Sequence, residues 1–390
     1  MGGGVGPPVK IDRAELRHVR LPYVTPFETS SGRETVKDCI LVRAWADGVA
    51  GWGESPVAST PFYTEETVET AWAILTEFLV PRVLGRPFSD PAELAGWLRP
   101  VRRHHMAKAG LEAAAWDLVA QQRALPLAGV LGGTQTKVAV GMSVGLEPTT
   151  DAILDRIGEW LDQGYRRIKV KIKPGLDVAL VAAVRERFGA IPLHADANAA
   201  YTLADEAALA ALDDYDLLML EQPLGHEDLV DHAALARRLR TPICLDESIE
   251  SAADARRAAD LGACRIVNIK AARMGGLAEA VRCHAVCLER GLPVWCGGLL
   301  ETGIGRAANV ALAALPGFTL PADLGASRRY FHEDLIEPEV TVNPDGTVDV
   351  PTAPGLGFHV VERLVEKYTV RRAVVPEARR GIKGPPDTRA

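Results

Sequence analysis

Hydrophobic and polar positions follow a repeating rhythm between residues 136 and 325. Segments of helical composition, such as "VALVAAVRERF" and "LAEAVRCHAVCLERG", separate short apolar runs rich in β-branched residues. These runs are "KVAVGMSVG", "RRIKVKIK", "IPLHADAN", "DLLMLEQP", "TPICLDES", "CRIVNIK", "LPVWCGG" and "FTLPADL". Eight strands that alternate with helices predict parallel β-α-β units. At this length, such units favour closure into a (β/α)8-type barrel.

The two flanks of this repeat have a different pattern. Residues 9–80 include runs with two-residue alternation, and helical text follows from 64 to 123. Within that text, "HMAKAGLEAAAWDLVAQQ" predicts a strongly amphipathic helix. After residue 326 come polar loops and short strands with the turn signal "NPDG", and the final "GIKGPPDTRA" is typical of a mobile tail. The flanks therefore predict an α+β domain ahead of the barrel and irregular structure after it.

Three lysines in "RRIKVKIK" raise a chemical question. Apolar residues at period two place Lys169, Lys171 and Lys173 together on the other face of a strand. A solvated edge strand is one interpretation, because lysines there discourage edge-to-edge association. The alternative is a buried site, which requires a partner for each charge.

Charged residues recur near the ends of five consecutive strands of the repeat. They are Lys171, Asp196, Glu221, Asp246 and Lys270, with gaps of 25, 25, 25 and 24 residues. One β-α unit of a barrel takes roughly 25 to 30 residues, so these side chains are expected at one height on neighbouring strands. That height is the C-terminal face, where barrel active sites form. The alternative is that each is an unrelated surface charge.

The predicted cluster points to a metal and to proton transfer. Three carboxylates that lie close together do not all stay ionised without a cation, and three oxygen donors with open positions suit Mg²⁺. A divalent ion stabilises an enediolate, and a lysine whose pKa is lowered by burial and cationic neighbours acts as a base near neutral pH. The predicted reaction is abstraction of a proton α to a carboxylate, followed by racemisation or β-elimination.

The stretches "KVK", "DAN", "EQP", "DES" and "NIK", in this order, resemble the muconate-lactonising branch of the enolase superfamily. The resemblance implies an α/β fold, a modified TIM barrel (β/α)7β with an α+β capping domain. The implied ranges are a cap at 8–133, a barrel at 134–326, a segment returning to the cap at 327–372, and a tail at 373–390.

The resemblance also implies roles for single residues. Asp196, Glu221 and Asp246 would bind Mg²⁺, with Mn²⁺ or another divalent ion as alternatives. Lys171 and Lys270 would be the acid and base on opposite faces of the substrate. Lys169 would lie near the substrate carboxylate and depress the pKa of Lys171, while Lys173 falls outside the motif.

Further stretches, "IKAARMGGL", "VWCGGLLETGIGRAANVALAALPGFTLPADL" and "HHMAKAGLEAAAWD", resemble the o-succinylbenzoate synthase/N-succinylamino acid racemase group. The resemblance implies racemisation of N-succinyl- or N-acylamino acids, dehydration to o-succinylbenzoate for menaquinone synthesis, or both. Arg273, three residues after Lys270, favours racemase activity, with a helix-start ion pair as the alternative. A dedicated synthase and a muconate cycloisomerase remain open. The Asp-x-Asp motif expected of a dipeptide epimerase is absent from "PADLGAS", so a dipeptide epimerase is a less favoured alternative.

Weaker candidates for substrate contact lie near the predicted barrel mouth and in the cap. They are Asn198, Ser143, Glu301, Gly298, Phe27 and Tyr63. Segments 26–32 and 55–63 are predicted as mobile loops that close over substrate. Their small, apolar and hydroxyl-bearing residues fit a succinyl or hydrophobic group better than a second anion. Helix capping by Glu301 and ordinary loop packing are the alternatives.

Bulk properties narrow the class of protein. The chain has 390 residues, 47% hydrophobic, which is enough for a large core and two domains. A net charge of -7 gives no support for nucleic acid or an anionic membrane as partner. No apolar run reaches roughly 18 residues and no signal core follows the first methionine, so a cytoplasmic protein is expected. The six cysteines are predicted to be reduced core residues, including Cys283 and Cys287, which flank His284.

Two other functions are compatible with the sequence. A class I aldolase would use one desolvated lysine as a Schiff base, without a metal beside it. A metal-stabilised binding scaffold would need neither Lys171 nor Lys270. The expected partners are a small-molecule carboxylate and, as the resemblance implies, further copies of the same chain.

Overall fold

The computed structural model describes residues 8–29 and 32–376, and its N-terminal part combines a sheet with helices. Its strands are β1 (Val9–Lys10), β2 (Arg13–Thr29), β3 (Gly32–Ala46), β4 (Val49–Ser55) and β5 (Pro87–Phe88). Its helices are α1 (Val68–Ile74), a π-helical turn (Leu75–Leu79), α2 (Val80–Val83), α3 (Ala92–Leu98), α4 (His105–Gln122) and α5 (Leu127–Leu131).

The following part alternates strands and helices. Its strands are β6 (Lys137–Ala139), β7 (Met142–Val144), β8 (Ile168–Lys171), β9 (Leu193–Asp196), β10 (Met219–Glu221), β11 (Ile243–Leu245), β12 (Ile266–Ile269) and β13 (Val294–Cys296). Its helices are α6 (Thr150–Asp162), α7 (Val178–Phe188), α8 (Glu206–Ala211), α9 (Leu229–Ala236), α10 (Ala252–Leu261), α11 (Leu277–Glu289) and α12 (Gly303–Ala313), with 3-10 turns at Leu203–Asp205 and Leu212–Tyr215. Strands β7 to β13 form one parallel sheet in sequence order, as the β-α repeat predicts.

The C-terminal part returns to the N-terminal sheet. It contains α13 (Ser327–Tyr330), β14 (Ile336–Glu337), β15 (Thr347–Asp349), β16 (His359–Val360), α14 (Glu362–Tyr368) and β17 (Thr369–Pro376). Strand β17 pairs antiparallel with β2 in a sheet of order β17-β2-β3-β4. Residues 373–376, expected in the tail, therefore belong to this sheet, and 377–390 lie outside the described residues.

The eighth predicted strand and the first differ from expectation. "FTLPADL" forms no ladder strand. Phe318 bridges Val294 and Ala322 bridges Val140, so this segment links the two edges of the sheet through single bridges. Pro321 lacks an amide hydrogen for a continuous ladder. "KVAVGMSVG" is split into β6 and β7, and β6 pairs with β15 instead of joining the barrel sheet.

Helix α4 is confirmed, but its predicted amphipathic character is wrong. Every residue from Met106 to Ala120 is buried. One side of the helix packs on β4, where glycines permit very close approach: a Cβ at Gly51 would lie 2.2 Å from the carbonyl oxygen of Ala114. Another side reaches the barrel, where Glu112 accepts a hydrogen bond from the amide of Ala278. A helix enclosed from both directions has no polar face.

The register of the barrel strands sets the height of the predicted site. Lys171 and Asp196 are direct neighbours across β8 and β9, and Asp196 and Glu221 across β9 and β10. Glu221 pairs with Cys244 across β10 and β11. Asp246 lies two residues after Cys244, so its side chain is on the same face of the sheet as that of Glu221. An apolar cluster on this inward face, one layer below, consists of Met219, Cys244, Ile266 and Trp295.

The six cysteines are buried and free, as predicted. His284, between two of them on α11, stacks on Phe318 with ring centroids 5.2 Å apart, so this trio is core packing. Within the described residues, none of the helices combines the length and apolar character that crossing a bilayer requires.

Candidate active site

A cavity of about 470 Å³ lies where the N-terminal sheet covers the barrel mouth. We call one side of it the cap wall, formed by Arg20, Phe27 and residues from 32–38 and 56–64. We call the other side the barrel wall, formed by Ser143, Lys169, Lys171, Asn198, Lys270, residues 298–301, Arg306, Asp323 and Tyr330. The predicted metal ligands and Arg273 lie beneath this lining, fully or almost fully buried.

The cap wall corrects one prediction and supports another. Segment 26–32 was expected to be a mobile loop, yet β2 and β3 run through it, with Phe27 opposite Glu34 and Thr29 opposite Gly32. Only the tip at 30–31 lies outside the described residues. Residues 56–63 form irregular structure after β4, which ends at Ser55, and the mobility of this loop stays a prediction. Tyr63 projects onto the barrel wall.

Lys171, the last residue of β8, is held by two residues at the end of β9. Its Nζ donates to Oδ2 of Asp196 at 2.6 Å and to Oδ1 of Asn198 at 2.7 Å. Asn198 has a φ of 41°, a left-handed conformation that asparagine adopts more readily than most non-glycine residues. Its Nδ2 donates to Glu247 at 2.9 Å, so the amide is oriented with its oxygen toward the lysine.

Lys270 follows β12 and belongs to a second ion pair. Its Nζ donates to Oδ2 of Asp246 at 2.8 Å and to the hydroxyl of Tyr63 at 3.0 Å. Arg273 also donates to Asp246, and to the carbonyl oxygens of Ile249 at 3.2 Å and Asn268 at 2.9 Å. Arg273 therefore braces the carboxylate that holds Lys270 and is not part of the lining.

Lys169 lies deeper and has several acidic neighbours. Its Nζ is 2.7 Å from Asp323, 3.1 Å from Glu221 and 3.2 Å from Asp196. Burial opposes the charge, but these carboxylates, Asp323 foremost, raise the pKa of Lys169 well above its usual value. Lys169 is therefore a fixed positive charge near the centre of the site.

The three carboxylates differ in their electrostatics. Burial would raise the pKa of Asp196, but the charges of Lys171 and Lys169 hold it well below the usual value. Arg273 and then Lys270 lower the pKa of Asp246 in the same way. Burial and the neighbouring Asp196 charge instead raise the pKa of Glu221 to about 8. A site with this much crowded negative charge favours a cation.

The donor set fits a hard divalent cation in its chemistry. Asp196 and Glu221 are paired across β9 and β10, and the charges of Asp196 and Asp246 both act to raise the pKa of Glu221. In the described part of the chain, no three carboxylate, histidine or cysteine side chains already stand in ligand geometry, because each carboxylate turns toward a lysine, arginine or amide. Carboxylate oxygens are nevertheless the ligand type that Mg²⁺ prefers.

The pKa of Lys270 departs from the sequence-based expectation. Burial acts to lower it, but the charge of Asp246 outweighs burial and raises it above the usual value. Burial also raises the pKa of the Tyr63 hydroxyl to about 12, so this group stays protonated at neutral pH. Lys270 is therefore held in its protonated form while Asp246 beside it is charged.

Gln222 links two of the ligand-bearing strands. It follows Glu221 with a φ of 38°, and its Oε1 accepts from the amides of Asp246 at 3.0 Å and Ser248 at 3.2 Å. Its Nε2 donates to the Ser248 hydroxyl at 2.7 Å. This side chain fixes the position of the segment that carries Asp246 relative to Glu221.

The remaining predicted substrate contacts differ in whether their polar groups already have hydrogen-bond partners. The hydroxyl of Ser143 is buried without a hydrogen-bond partner among the described residues. Glu301 is engaged by the amides of Leu299 at 2.8 Å and Asn309 at 2.9 Å, and Thr302, not Glu301, caps α12. Gly298 lies in the lining, where a Cβ would approach the carbonyl oxygen of Asp323 to 2.7 Å.

Besides Gln222, sequence reasoning missed four residues that complete the site. Asn268 donates to Glu221 at 2.7 Å, and Glu247 orients Asn198. Asn268 lies two residues before Lys270 in "NIK", and Glu247 directly follows Asp246 in "DES". Side chains two positions apart on a strand share a face, so the sequence could have indicated Asn268. Asp323 closes the barrel and pairs with Arg167 at 2.7 Å. Lys37 reaches the cavity from β3, and no local signal distinguishes it.

A barrel mouth with buried carboxylates between two lysines defines an enzyme that acts on small carboxylate substrates. Residues 13–132 match the family model described as mandelate racemase/muconate lactonizing enzyme, N-terminal domain, and residues 152–364 match that of the enolase C-terminal domain-like family. The chain belongs to the enolase superfamily, and the predicted fold and family are confirmed. Members of this superfamily use Mg²⁺.

The chain also aligns with curated relatives over almost their whole length. The chain is 53% identical over 362 residues to an o-succinylbenzoate synthase of Geobacillus kaustophilus, which covers 93% of this chain and 96% of that protein. It is 47% identical over 365 residues to an N-succinylamino acid racemase of an Amycolatopsis species, covering 93% of this chain and 99% of that protein. A crystal structure of an enolase-superfamily member from Listeria innocua superposes with a TM-score of 0.91 at 40% identity, covering 95% of this chain and all of that one.

Proposed function

We propose that this enzyme abstracts the proton α to a carboxylate and forms an enediolate, and that its site holds a divalent cation, Mg²⁺ foremost. The products are racemised N-succinyl- or N-acylamino acids, o-succinylbenzoate, or both. The observation that carries the proposal is that Lys171 and Lys270 line one cavity, each bonded to a different carboxylate of the buried cluster. Similarity to both a synthase and a racemase supports the same first step.

The chain's own residues divide the work as follows. Asp196, Glu221 and Asp246 hold the cation, which when bound supplies positive charge to the developing enediolate. Lys171 and Lys270 exchange protons with the α-carbon, and Lys169 supplies a fixed positive charge to the substrate carboxylate. In racemisation the two lysines alternate as base and acid. In dehydration Lys171 also protonates the departing hydroxyl, while Lys270 stays cationic.

Other parts of the site fit substrate positioning. Asn198 orients Lys171, Ser143 offers an unpartnered hydroxyl, and Phe27, Tyr63 and Gly298 shape the space around the reacting carbon. Glu301 contributes to the wall next to Gly298. Arg273 acts through Asp246 and favours the racemase activity.

Proton NMR tests the proposal directly. N-succinyl-phenylglycine is incubated with the enzyme and Mg²⁺ in D₂O, and the α-proton signal is followed. We expect its loss, and we expect EDTA to prevent it. An α-proton signal that persists with Mg²⁺ bound, together with no turnover of the cyclohexadiene carboxylate precursor of o-succinylbenzoate, would contradict the proposal.

Secondary assays separate the alternatives. Chiral chromatography of the N-succinylamino acid measures racemisation, and loss of the diene absorbance measures dehydration. Dehydration without racemisation would identify a dedicated synthase. Borohydride trapping with a keto substrate would reveal the Schiff base of an aldolase. Assembly into homo-oligomers and a cytoplasmic location remain predictions, the first to be checked by light scattering.

A further inference from the structure

Lys37 differs from the other lysines of the cavity in its partners. Its side chain lines the cap wall, the residue is only 4% exposed, and its Nζ donates to the carbonyl oxygen of Leu299 at 2.8 Å. Lys169, Lys171 and Lys270 each form an ion pair with a buried carboxylate. Within residues 8–29 and 32–376, the ammonium group of Lys37 forms no ion pair.

The nearby acidic groups are engaged elsewhere. Glu54 feels the charge of Lys37, but its oxygens accept from Thr302 and from the amide of Gly305 at 3.0 Å, at the start of α12. Asp38, the next residue on β3, pairs with His18 at 2.6 Å and Arg20 at 3.1 Å. Neither carboxylate is bonded to Lys37, so its charge is only partly balanced.

We propose that Lys37 recognises the terminal carboxylate of the substrate's acyl group and so sets a preference for succinyl over uncharged acyl chains. This inference rests on the proposed function. The two activities named for the relatives share a succinyl group, so one cation on the cap wall serves both substrates. The sequences of the cap loops favour a succinyl or hydrophobic group over a second anion, and Lys37 on β3 supplies a cation for the carboxylate that a succinyl group carries.

The chemistry of the ammonium group supports this role. It carries three donors, of which Leu299 takes one, and a buried cation with open donors gains from an anionic partner. The Leu299 bond also holds Lys37 at the barrel wall, so the ammonium is oriented before the substrate arrives. The cavity has the size of a small-molecule site, with room for an amino acid and its acyl chain.

A pair of matched substrates tests the role of charge. N-succinyl-phenylglycine is compared with its terminal primary amide, which has the same shape without the charge, by α-proton exchange in D₂O. For the wild type we expect kcat/KM to favour the carboxylate by about tenfold to a hundredfold, the range for a hydrogen bond to a charged group. Lys37→Met should bring this ratio close to one, and Lys37→Arg should retain most of it.

Controls separate recognition from support of the fold. Lys173→Met removes an exposed lysine outside the site and should leave the ratio unchanged. If Lys37→Met lowers kcat/KM for both substrates equally, Lys37 only supports the loop at Leu299 and the inference is wrong. If the wild type itself does not distinguish the two substrates, it is also wrong, whether or not any variant folds. If the wild type exchanges neither N-acyl substrate nor dehydrates the diene, the proposed function fails first.

Discussion

The two walls of the cavity are built by different means. The barrel wall takes its charged groups from the ends of consecutive parallel strands, whose register fixes their height. The cap wall takes its groups from one long hairpin and one irregular segment, which meet the barrel only through tertiary contacts such as Tyr63 on Lys270. Strand register therefore places the charged groups of the barrel wall, whereas contacts between distant parts of the chain place Lys37 and Tyr63 against it.

The largest effects are expected on the barrel wall. Lys171→Ala and Lys270→Ala should each lower the racemisation rate by about 10³-fold, because each removes a proton-transfer group that no neighbour replaces. Dehydration should fall similarly in Lys171→Ala and severely in Lys270→Ala. Kinetics on both substrates measure these effects, with Lys173→Ala as control. Near-wild-type rates in either variant would exclude the two-lysine assignment.

Loss of one carboxylate should weaken metal binding strongly. In Asp246→Asn, Lys270 and Arg273 lose the charge that both contact, and the cluster keeps two carboxylates. Calorimetric titration should show Mg²⁺ affinity reduced at least about tenfold. Asp345→Asn, in an exposed loop, is the matched control. An unchanged titration in Asp246→Asn would mean that this residue is not a ligand.

A smaller effect is expected from the residue that joins the ligand strands. Gln222→Met keeps the length of the side chain but leaves the amides of Asp246 and Ser248 without their acceptor. Mg²⁺ affinity and kcat should both fall, by less than about tenfold, while the fold is retained by circular dichroism. Unchanged affinity would show that the strand register alone positions Asp246.

The same difference between the walls explains what sequence reasoning could predict. The 25-residue interval is a property of the β-α unit, so Lys171 and Asp196 could be placed side by side without coordinates. Lys37 and Asp323 could not, because each reaches the site through a pairing with residues more than 150 positions away. Helix α4 was predicted in extent but not in environment, since periodicity cannot tell whether a second layer covers its outer side.

The smallest predicted effect concerns how the cap wall is anchored. Glu66, just after the irregular segment, accepts hydrogen bonds from the amides of Met106 at 2.6 Å and Ala107 at 3.0 Å at the start of α4. Burial raises the pKa of Glu66 to about 7, although these two bonds act to lower it. The folded protein therefore binds this proton more tightly than the unfolded chain, whose glutamates titrate near about 4.3.

The sign of the resulting pH dependence follows from this shift. Stability from Glu66 is fully present below about pH 4 and is lost as the pH rises through about 7. Glu66→Gln stays neutral throughout, so its Tm relative to the wild type should rise by a few degrees between pH 5 and about 8. Glu186→Gln, at an exposed position whose charge does not act on Glu66, is the control and should show a flat difference. A flat difference for Glu66→Gln as well would mean that Glu66 is ionised across this range, and that the cap segment is held by a permanent charge at the start of α4.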